Sequence, residues 1–574
     1  MSAPSTTRRR ESALIAGFTF VGAVLRFWMP ARMGLNHFDE GVYAAFGQWT
    51  WQGKGLAFAP PELRFYAPPL YPYLVGLVSL FLPIGTDMAA IFLSQICGVL
   101  TIPAVAWLAR RSFGPGAGAA AAALAAISGP HVAFSRMALT DSTLLLVWIL
   151  ALGSGARFLE RPGLLRAIPF GVLVGLAMNT KYNGNLPGVI IALTVLWGLI
   201  LPGEGGRTAA LKAIGFGLIS AAIAGLMYWP WYRFVEAQPE GYAGLLRHHR
   251  GYLSGPSAWP AHLRLQLGQA YALSGELTGR LSWGLVAWPL AWVGAWIADR
   301  GWWFQYRADR WEGMRFRVGL LVGAIALGAA PSIVFWLGLA RLPRLLCDRR
   351  AGPRMIGMLW VVMAILTPLY HPYARLWLPL HAAGWLIVSD LIVRLGPSYE
   401  IAPSPVGGRR FAMVLVCLAI VLGSYQDFLS DPHPQFLGSP VERTDDVRNH
   451  AARLIIMFEG LTVRPTRVHV LARPALLYYL TRDATFPIAR EAYWEAMEKS
   501  AAPGRWAVVD GVLLEKPAHR PESFDRFILR PSTATRIWKR HTIMTPTTAL
   551  DVDPGLAFPL DSRVRTIIGM PLEP

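Results

Sequence analysis

About a dozen apolar stretches, each long enough to cross a lipid bilayer as a helix, run through the first three quarters of the chain. A spanning helix needs roughly 20 mostly apolar residues, because backbone N–H and C=O groups find no partners in hydrocarbon. The pattern therefore predicts a polytopic α-helical membrane protein, with about 11–13 transmembrane helices. The predicted spans are Ser12–Trp28, Asp87–Ala109, Gly116–Arg136, Ser142–Phe158, Ala167–Thr180, Asn185–Leu201, Lys212–Pro230, Leu281–Ala298, Val318–Ala340, Arg354–Tyr370, Leu376–Arg394 and Phe411–Phe428.

Composition agrees with a membrane protein. Of the 574 residues, 54% are hydrophobic and only 16% are charged, with a mean hydropathy of +0.38, which excludes a disordered chain and most soluble folds. The net charge of +19 does not indicate nucleic acid, since a basic apolar chain usually places its cations in cytoplasmic loops. The three cysteines, Cys97, Cys347 and Cys417, lie in or beside apolar runs and predict neither a disulfide framework nor a cysteine-based metal cluster.

Basic connections predict the orientation in the membrane. Arg8, Arg9 and Arg10 precede the first span and place the N-terminus in the cytoplasm, with that span as an uncleaved anchor in the inner membrane. Cations between later spans follow the same alternation, except that 299–317 and 341–354 are both basic although one span separates them. This conflict predicts one miscounted segment, either a helix bent at Pro331 or a missed span.

Two domains are expected. Residues 1–428 are expected to form the transmembrane domain, with a first outer loop at 30–86 and another outer loop at 231–280. Pro69–Pro83 is too short to span and is predicted to be an interfacial helix in the first of these loops. Beyond residue 428 the apolar runs shorten to strand length between helical stretches, which predicts a small extracytoplasmic α/β domain at 429–574.

Acidic residues gather at span ends on the predicted outer face. Asp39 and Glu40 follow the first span, and Asp141 lies between the third and fourth spans. A carboxylate at the mouth of a membrane cavity can take a proton from an attacking hydroxyl. The alternatives are a solvated loop acid at Asp39 and a structural ion pair between Asp141 and Arg136; charges at span ends are nonetheless functional candidates.

Cations are predicted on the same face. Lys181, Arg250 and Arg375 suit a phosphate-bearing ligand, because arginine offers a fork of donors and lysine a compact charge. Their supporting neighbours are Tyr43, Tyr182, His248, His249, His371 and Tyr373. His248 and His249 are adjacent rather than four residues apart, and no His-Glu-x-x-His motif is present, so a metal site is not indicated.

These motifs, in this order, resemble the GT-C superfamily of polyprenyl-phosphate-sugar-dependent glycosyltransferases, in particular its protein O-mannosyltransferase and aminoarabinose transferase-like group. The resemblance extends over 1–394 and rests on five motifs. They are His37-Phe-Asp-Glu40 after span one, Ala67-Pro-Pro-Leu-Tyr71, Ser135-Arg136 followed by Asp141, Thr180-Lys181, and Tyr373-Ala-Arg375-Leu-Trp-Leu-Pro379. The chain departs from the group at Ala67, where relatives often have lysine or histidine.

The resemblance implies an inverting glycosyltransferase at the outer face of the membrane. A mannose-like sugar or modified pentose would move from a polyprenyl phosphate to a hydroxyl or phosphate of a protein, lipid or glycan. Asp39 would be the base, Glu40 and Asp141 would assist at the acceptor or sugar, and Arg136 would hold Asp141. Lys181, Arg375 and Arg250 would bind the donor phosphate. No cofactor is required, and a divalent metal stays open.

Two alternatives lie outside transfer chemistry. One is a transporter or flippase of polyprenyl-linked sugars, which would tend to show paired repeats and charges near the bilayer middle. The other is a non-catalytic relative that binds the sugar lipid, which the departure at Ala67 leaves open. The placement of acids and cations at span ends on one face favours the enzyme.

Overall fold

The computed structural model describes residues 5–28, 30, 33–35, 38–54, 66–263, 331–370, 374–395, 446–461, 464–471, 474–490, 505–510, 541–544 and 564–571. Its helices are α1 Ser5–Phe27, α2 Phe38–Trp51, α3 Leu70–Phe81, α4 Thr86–Phe113, α5 Ala117–Ile127, α6 Gly129–Ser135, α7 Thr140–Glu160, α8 Leu164–Thr180, α9 Leu186–Ile200, α10 Gly206–Glu236, α11 Gly241–Arg250, α12 Pro331–Leu346, α13 Ala351–Leu366, α14 Leu378–Leu395, α15 Asp446–Glu459 and α16 Pro474–Asp483. Short 3-10 turns lie at Pro256–Ala258, Thr367–Leu369 and Ala374–Trp377.

The mostly helical membrane architecture expected from the sequence is confirmed. Within the described ranges, four helices are long and apolar enough to cross a membrane, namely α4, α7, α10 and α13 with its following turn to Leu369. Helices α3, α5, α8 and α9 are apolar but shorter. The predicted spans Leu281–Ala298 and Phe411–Phe428, the first part of Val318–Ala340 and the basic stretch 299–317 lie outside the described residues.

One predicted span is two helices. The stretch Gly116–Arg136 is broken into α5 and α6 at Ser128, and Pro130 occupies the first turn of α6. Proline has no N–H to continue the hydrogen-bond ladder of α5, so the helix ends before it. The prediction of a single continuous span was wrong at this point.

A buried arginine closes this break. The Arg26 guanidinium, which is 0% exposed, donates to the carbonyls of Ala125 and Ala126 at 3.2 and 3.1 Å. It also hydrogen-bonds Nδ1 of His131, 2.8 Å away. The last carbonyls of a helix lack intrahelical partners, and here the first span supplies donors for them.

The bundle has two ends, which we name by the residues that mark them. At the site end lie the N-termini of α4 and α7 and the C-termini of α8, α10 and α13. At the arginine end lie the basic residues Arg110 and Arg111 in the last turn of α4, and the 348–350 turn between α12 and α13, where the Arg349 carbonyl accepts the Glu204 N–H at 3.1 Å.

Two shorter helices, α2 and α3, occupy the first loop at the site end. The predicted helix Pro69–Pro83 is present as α3, and the Tyr71 hydroxyl ties it to α4 through the Ala90 carbonyl at 2.9 Å. Helix α2 buries Val42 and Phe46 against Trp231 and Val235 at the end of α10. Apolar burial on this scale holds the acidic start of α2 inside the molecule.

The C-terminal segments form a small α/β unit. Its strands are β1 Arg467–Leu471, β2 Ile488–Arg490, β3 Arg505–Asp510, β4 His541–Met544 and β5 Val564–Pro571, arranged in the order β2-β1-β3-β5-β4. Strand β1 is parallel to β2 and β3, while β5 is antiparallel to β3 and β4. Helix α16 connects β1 to β2 as the crossover that parallel strands require.

Candidate functional site

The first turn of α2 carries the adjacent carboxylates. Asp39 and Glu40 are the second and third residues of the helix, where the positive end of the helix dipole favours acids. Both are buried, with Asp39 9% exposed and Glu40 1% exposed. Burial of two neighbouring acids requires polar partners, and each acid has its own.

Asp39 is held from two sides. The Tyr66 hydroxyl donates to its Oδ1 at 2.5 Å, and Nη1 of Arg375 lies 2.8 Å from its Oδ2. Arg375 belongs to the 3-10 turn Ala374–Trp377, so a late segment of the chain reaches the first loop. The structure thus joins a predicted base and a predicted phosphate-binding cation in one ion pair.

Glu40 points to a different element. Its Oε1 accepts the backbone N–H of Ala138 at 2.8 Å. Ala138 lies in the turn between α6 and α7, two residues before α7 begins. The contact therefore ties the first loop to the segment that carries the other predicted acid.

Asp141 is paired with Lys181. The carboxylate lies in the first turn of α7 and is 6% exposed, and its Oδ1 is 2.7 Å from Nζ of Lys181. Lys181 follows the last residue of α8, in extended conformation. The site therefore contains a second pair of a predicted acid and a predicted phosphate-binding cation.

Arg136 has another role than the one expected from the motif. Its guanidinium donates to the carbonyls of Leu25, Arg26 and Trp28, at 3.3, 3.1 and 2.7 Å. The C-terminal carbonyls of α1 need donors, and Arg136 provides them. The described cation on Asp141 is Lys181, so the expectation that Arg136 holds Asp141 gives way to this pair.

Two tyrosines, Tyr43 and Tyr66, lie beside the predicted acids. Tyr43 is 4% exposed, with its ring centroid 6.2 Å from that of Tyr66. Burial raises the pKa of Tyr43, as do the negative charges of Asp39 and Asp141, while Arg375 lowers it. The phenol therefore stays protonated near neutral pH, with both acids and Arg375 close enough to act on it. Burial and Asp39 likewise raise the pKa of Tyr66.

Helix α11 covers the site from the 231–280 loop. Arg250 and His248 are exposed on it, whereas His249 is half-buried with its ring 5.0 Å from that of Tyr182. Burial lowers the pKa of His249 to about 4, with smaller contributions from His248 and Lys181. The imidazole is therefore neutral near pH 7 and lies close to the Lys181 ammonium. Burial also raises the pKa of Tyr182.

Backbone and ring contacts join α11 to the late helices. The Ser254 N–H donates to the Leu369 carbonyl at 2.8 Å, and Tyr252 stacks on Tyr370 with ring centroids 5.7 Å apart. The predicted supporting residues His371 and Tyr373 lie outside the described residues, as does 264–280 of this loop. Among the residues that the structure describes, no three His, Cys, Asp or Glu side chains are grouped as a metal site would require.

Sequence reasoning missed Tyr66. It precedes Ala67 and the Pro-Pro-Leu motif, and proximity to that motif is the signal that could have singled it out. Ala67 itself is 3% exposed and faces the core rather than the site. Among the described residues beside the Pro-Pro-Leu motif, the one that reaches Asp39 is thus Tyr66, through its hydroxyl.

Comparison with known proteins supports the motif-based expectation. Residues 66–232 match the family model of dolichyl-phosphate-mannose-protein mannosyltransferase. The structure resembles ArnT from Cupriavidus metallidurans in the apo state, at TM-score 0.57 and 14% identity over 97% of this chain and 98% of that chain. The same protein bound to undecaprenyl phosphate gives a TM-score of 0.55, with the same identity and coverage.

A further similarity is to the archaeal oligosaccharyltransferase AglB from Archaeoglobus fulgidus, at TM-score 0.48 and 14% identity over 88% of this chain and 70% of that chain. No curated protein sequence matches the chain. At these identities the shared feature is the fold. The chain therefore has the multi-pass GT-C membrane fold that the ArnT structures show, and its residues 66–232 match the family model of dolichyl-phosphate-mannose-protein mannosyltransferase.

Proposed function

We propose that the chain is an inverting glycosyltransferase that moves a sugar from a polyprenyl-phosphate donor to an acceptor hydroxyl or phosphate. The observation that carries the proposal is the double pairing at the site end, Asp39 with Arg375 and Asp141 with Lys181. Asp39, Asp141 and Arg375 lie close enough to the buried Tyr43 to shift its pKa, and together with Lys181 on Asp141 they would provide both a base and a phosphate site. ArnT, which shares the fold, binds undecaprenyl phosphate in its crystal structure, and this complex supports the same donor class.

The pairing suggests how donor binding prepares the base. The donor phosphate competes with the carboxylates for Arg375 and Lys181, since charge-assisted bonds to phosphate are strong. When Arg375 turns to the phosphate, Asp39 loses its cation and becomes more basic. Asp39 is then free to accept a proton from the acceptor hydroxyl.

The transfer is a single displacement at the anomeric carbon of the sugar. The acceptor oxygen forms a bond to the anomeric carbon while the bond from that carbon to the phosphate oxygen breaks. The acceptor proton passes to Asp39, and the polyprenyl phosphate leaves with its charge held by Arg375 and Lys181. Attack opposite the leaving phosphate inverts the anomeric carbon.

The charge distribution supports an outer-face site. Arg110, Arg111, Arg157 and Arg349 lie at the arginine end, which the positive-inside rule assigns to the cytoplasm. The site end then faces outward, with the N-terminus in the cytoplasm and the α/β domain at 429–574 outside the inner membrane. Lipid tails would lie along α10, because only 17% of its most apolar 18-residue stretch is buried within the protein.

The test is transfer in proteoliposomes with a panel of polyprenyl-phosphate sugars, measured as sugar-dependent release of polyprenyl phosphate. Asp39→Asn should reduce the rate by about 10²–10⁴-fold, the usual contribution of a general base. Asp348→Asn is the matched control, because Asp348 pairs with Arg350 at the arginine end. The transfer rate of Asp141→Asn is measured in the same assay.

Three outcomes count against parts of the proposal. Full transfer by Asp39→Asn would move the base role to Asp141. Lipid translocation without turnover on any donor would identify a transporter. Donor binding with neither turnover nor translocation would identify a non-catalytic binder.

A further inference from the structure

Helix α16 of the C-terminal unit docks directly on the carboxylate helix α2. The contact centres on Gly41, the residue after Glu40: a Cβ built at Gly41 would lie 2.1 Å from the backbone N of Ala475. Only glycine allows the two backbones to approach this closely. The first turn of α16 therefore packs beside the turn that carries Asp39 and Glu40.

The same helix holds the chain that leads into α2. The Tyr479 hydroxyl accepts the backbone N–H of Leu35 at 2.8 Å, and Tyr479 is fully buried. Leu35 lies three residues before α2 begins. This hydrogen bond fixes the direction from which the chain enters the carboxylate helix.

Tyr478 and Arg482 hold a third segment, the start of α4. The Tyr478 hydroxyl bonds Thr86 Oγ1 at 2.7 Å and accepts the Asp87 N–H at 3.2 Å. Nη1 of Arg482 is 3.0 Å from Oδ1 of Asp87, a carboxylate that is 2% exposed. The N-cap of α4 is Gly85, which has no side chain to cap the helix, and α16 provides the missing hydrogen-bond partner.

We infer that α16 is a positioning element for the carboxylate pair, with Tyr478 and Arg482 as positioning residues that clamp α4 while Ala475 and Tyr479 hold α2. The inference rests on the proposed function for its catalytic consequence. A displacement of about 1 Å at reacting groups can cost up to roughly 10²-fold in rate. Holding α2 and α4 from one short helix limits such displacement.

The first measurement follows the position of α2 without using activity. Hydrogen–deuterium exchange is compared between the full-length protein and the double variant Tyr478→Phe, Arg482→Gln. We expect faster exchange in the peptide covering α2 and no change in the peptide covering α9, which is remote from α16. Asp483→Asn is the matched control, because it removes only the exposed partner of Arg482 and leaves the Asp87 pair intact.

The second measurement separates rate from binding. For the double variant we expect kcat to fall about tenfold, with the donor KM within about twofold of wild type, since the cations that bind the phosphate are untouched. Gly41→Ala tests the contact between α16 and α2 directly, because its methyl group would collide with the backbone at Ala475, and it should give the same split. If Gly41→Ala does not fold, the double variant still decides.

The inference is overturned if the double variant keeps wild-type exchange in α2 and wild-type kcat. It is also overturned if exchange rises equally in α2 and α9, because that result shows general destabilisation. If the wild-type protein transfers no sugar, the proposed function fails, and the exchange experiment still decides whether α16 positions α2.

Discussion

Single residues at the site end show how the buried charges of the site are paired. Two of the three predicted cations lie on predicted acids, Arg375 on Asp39 and Lys181 on Asp141, whereas Arg250 is exposed on α11. The low dielectric of a buried site makes an isolated charge costly, so opposite charges pair until a ligand replaces one of them. The acids are far from their cations along the chain, yet the family resemblance already assigned both to one site.

The partners of individual residues were harder to predict. The motif places Arg136 five residues before Asp141, but the guanidinium bonds the end of α1 and the acid bonds Lys181. Distance along the sequence does not predict which of two nearby donors reaches a carboxylate, because the answer depends on the directions in which the helices run. For the same reason Tyr66 gave no sign that its hydroxyl reaches Asp39.

His249 gives a pH prediction. Its pKa is about 4 in the folded protein, below the value of roughly 6.5 for an unfolded histidine, so the unfolded chain binds the extra proton between these values. Stability contributed by neutral His249 is complete above about pH 6.5 and falls as the pH drops toward 4. We expect the difference in thermal midpoint between wild type and His249→Gln to shrink from pH 7 to pH 4.5. His248→Gln, at an exposed position, is the control; a difference independent of pH contradicts the prediction.

At the scale of elements, the sequence predicted most helices and missed one break. Apolar stretches located α4, α7, α8, α9 and α13 within a few residues of their observed ends, because length and hydropathy alone select them. The stretch Gly116–Arg136 kept its hydropathy through Pro130, so composition concealed the end of α5. The structure tolerates the break because Arg26 satisfies the freed carbonyls.

This arrangement predicts the cost of removing Arg26. Arg26→Gln leaves the carbonyls of Ala125 and Ala126 without their guanidinium donors in a dry interior, and we expect a loss of about 2–4 kcal/mol in stability. Thermal and denaturant unfolding of the purified protein in detergent measures it. Arg10→Gln is the control, on the same helix at an exposed position. Equal stability of the two variants would show that Arg26 is not needed at the break.

At the scale of the whole molecule, orientation follows from where charges lie rather than from how many there are. The basic stretch 341–354, which conflicted with simple alternation, lies at the arginine end with Arg111, while 299–317 lies outside the described residues. The contact between Arg349 and the loop before α10 shows at which end of the bundle 341–354 lies. A count of predicted spans contains no such information.

Cys347 allows the orientation to be tested. It is an exposed free cysteine at the arginine end, next to the last residue of α12. In a Cys417→Ser background, a membrane-impermeant maleimide should label Cys347 only after spheroplasts are permeabilised. A Leu246→Cys variant without Cys347 should react in intact spheroplasts, because Leu246 is 61% exposed on α11. The reverse labelling pattern would invert the proposed topology.

The docking of α16 on α2 also sets an order of biogenesis. Leu35 and its partner Tyr479 are separated by 444 positions, so the carboxylate helix leaves the ribosome long before the helix that holds it. At typical synthesis rates this interval is about 20–90 s. During that time the membrane segments insert before α16 exists to hold α2. A chain that stops short of α16 should therefore reach the membrane with α2 and the start of α4 lacking their contacts to α16.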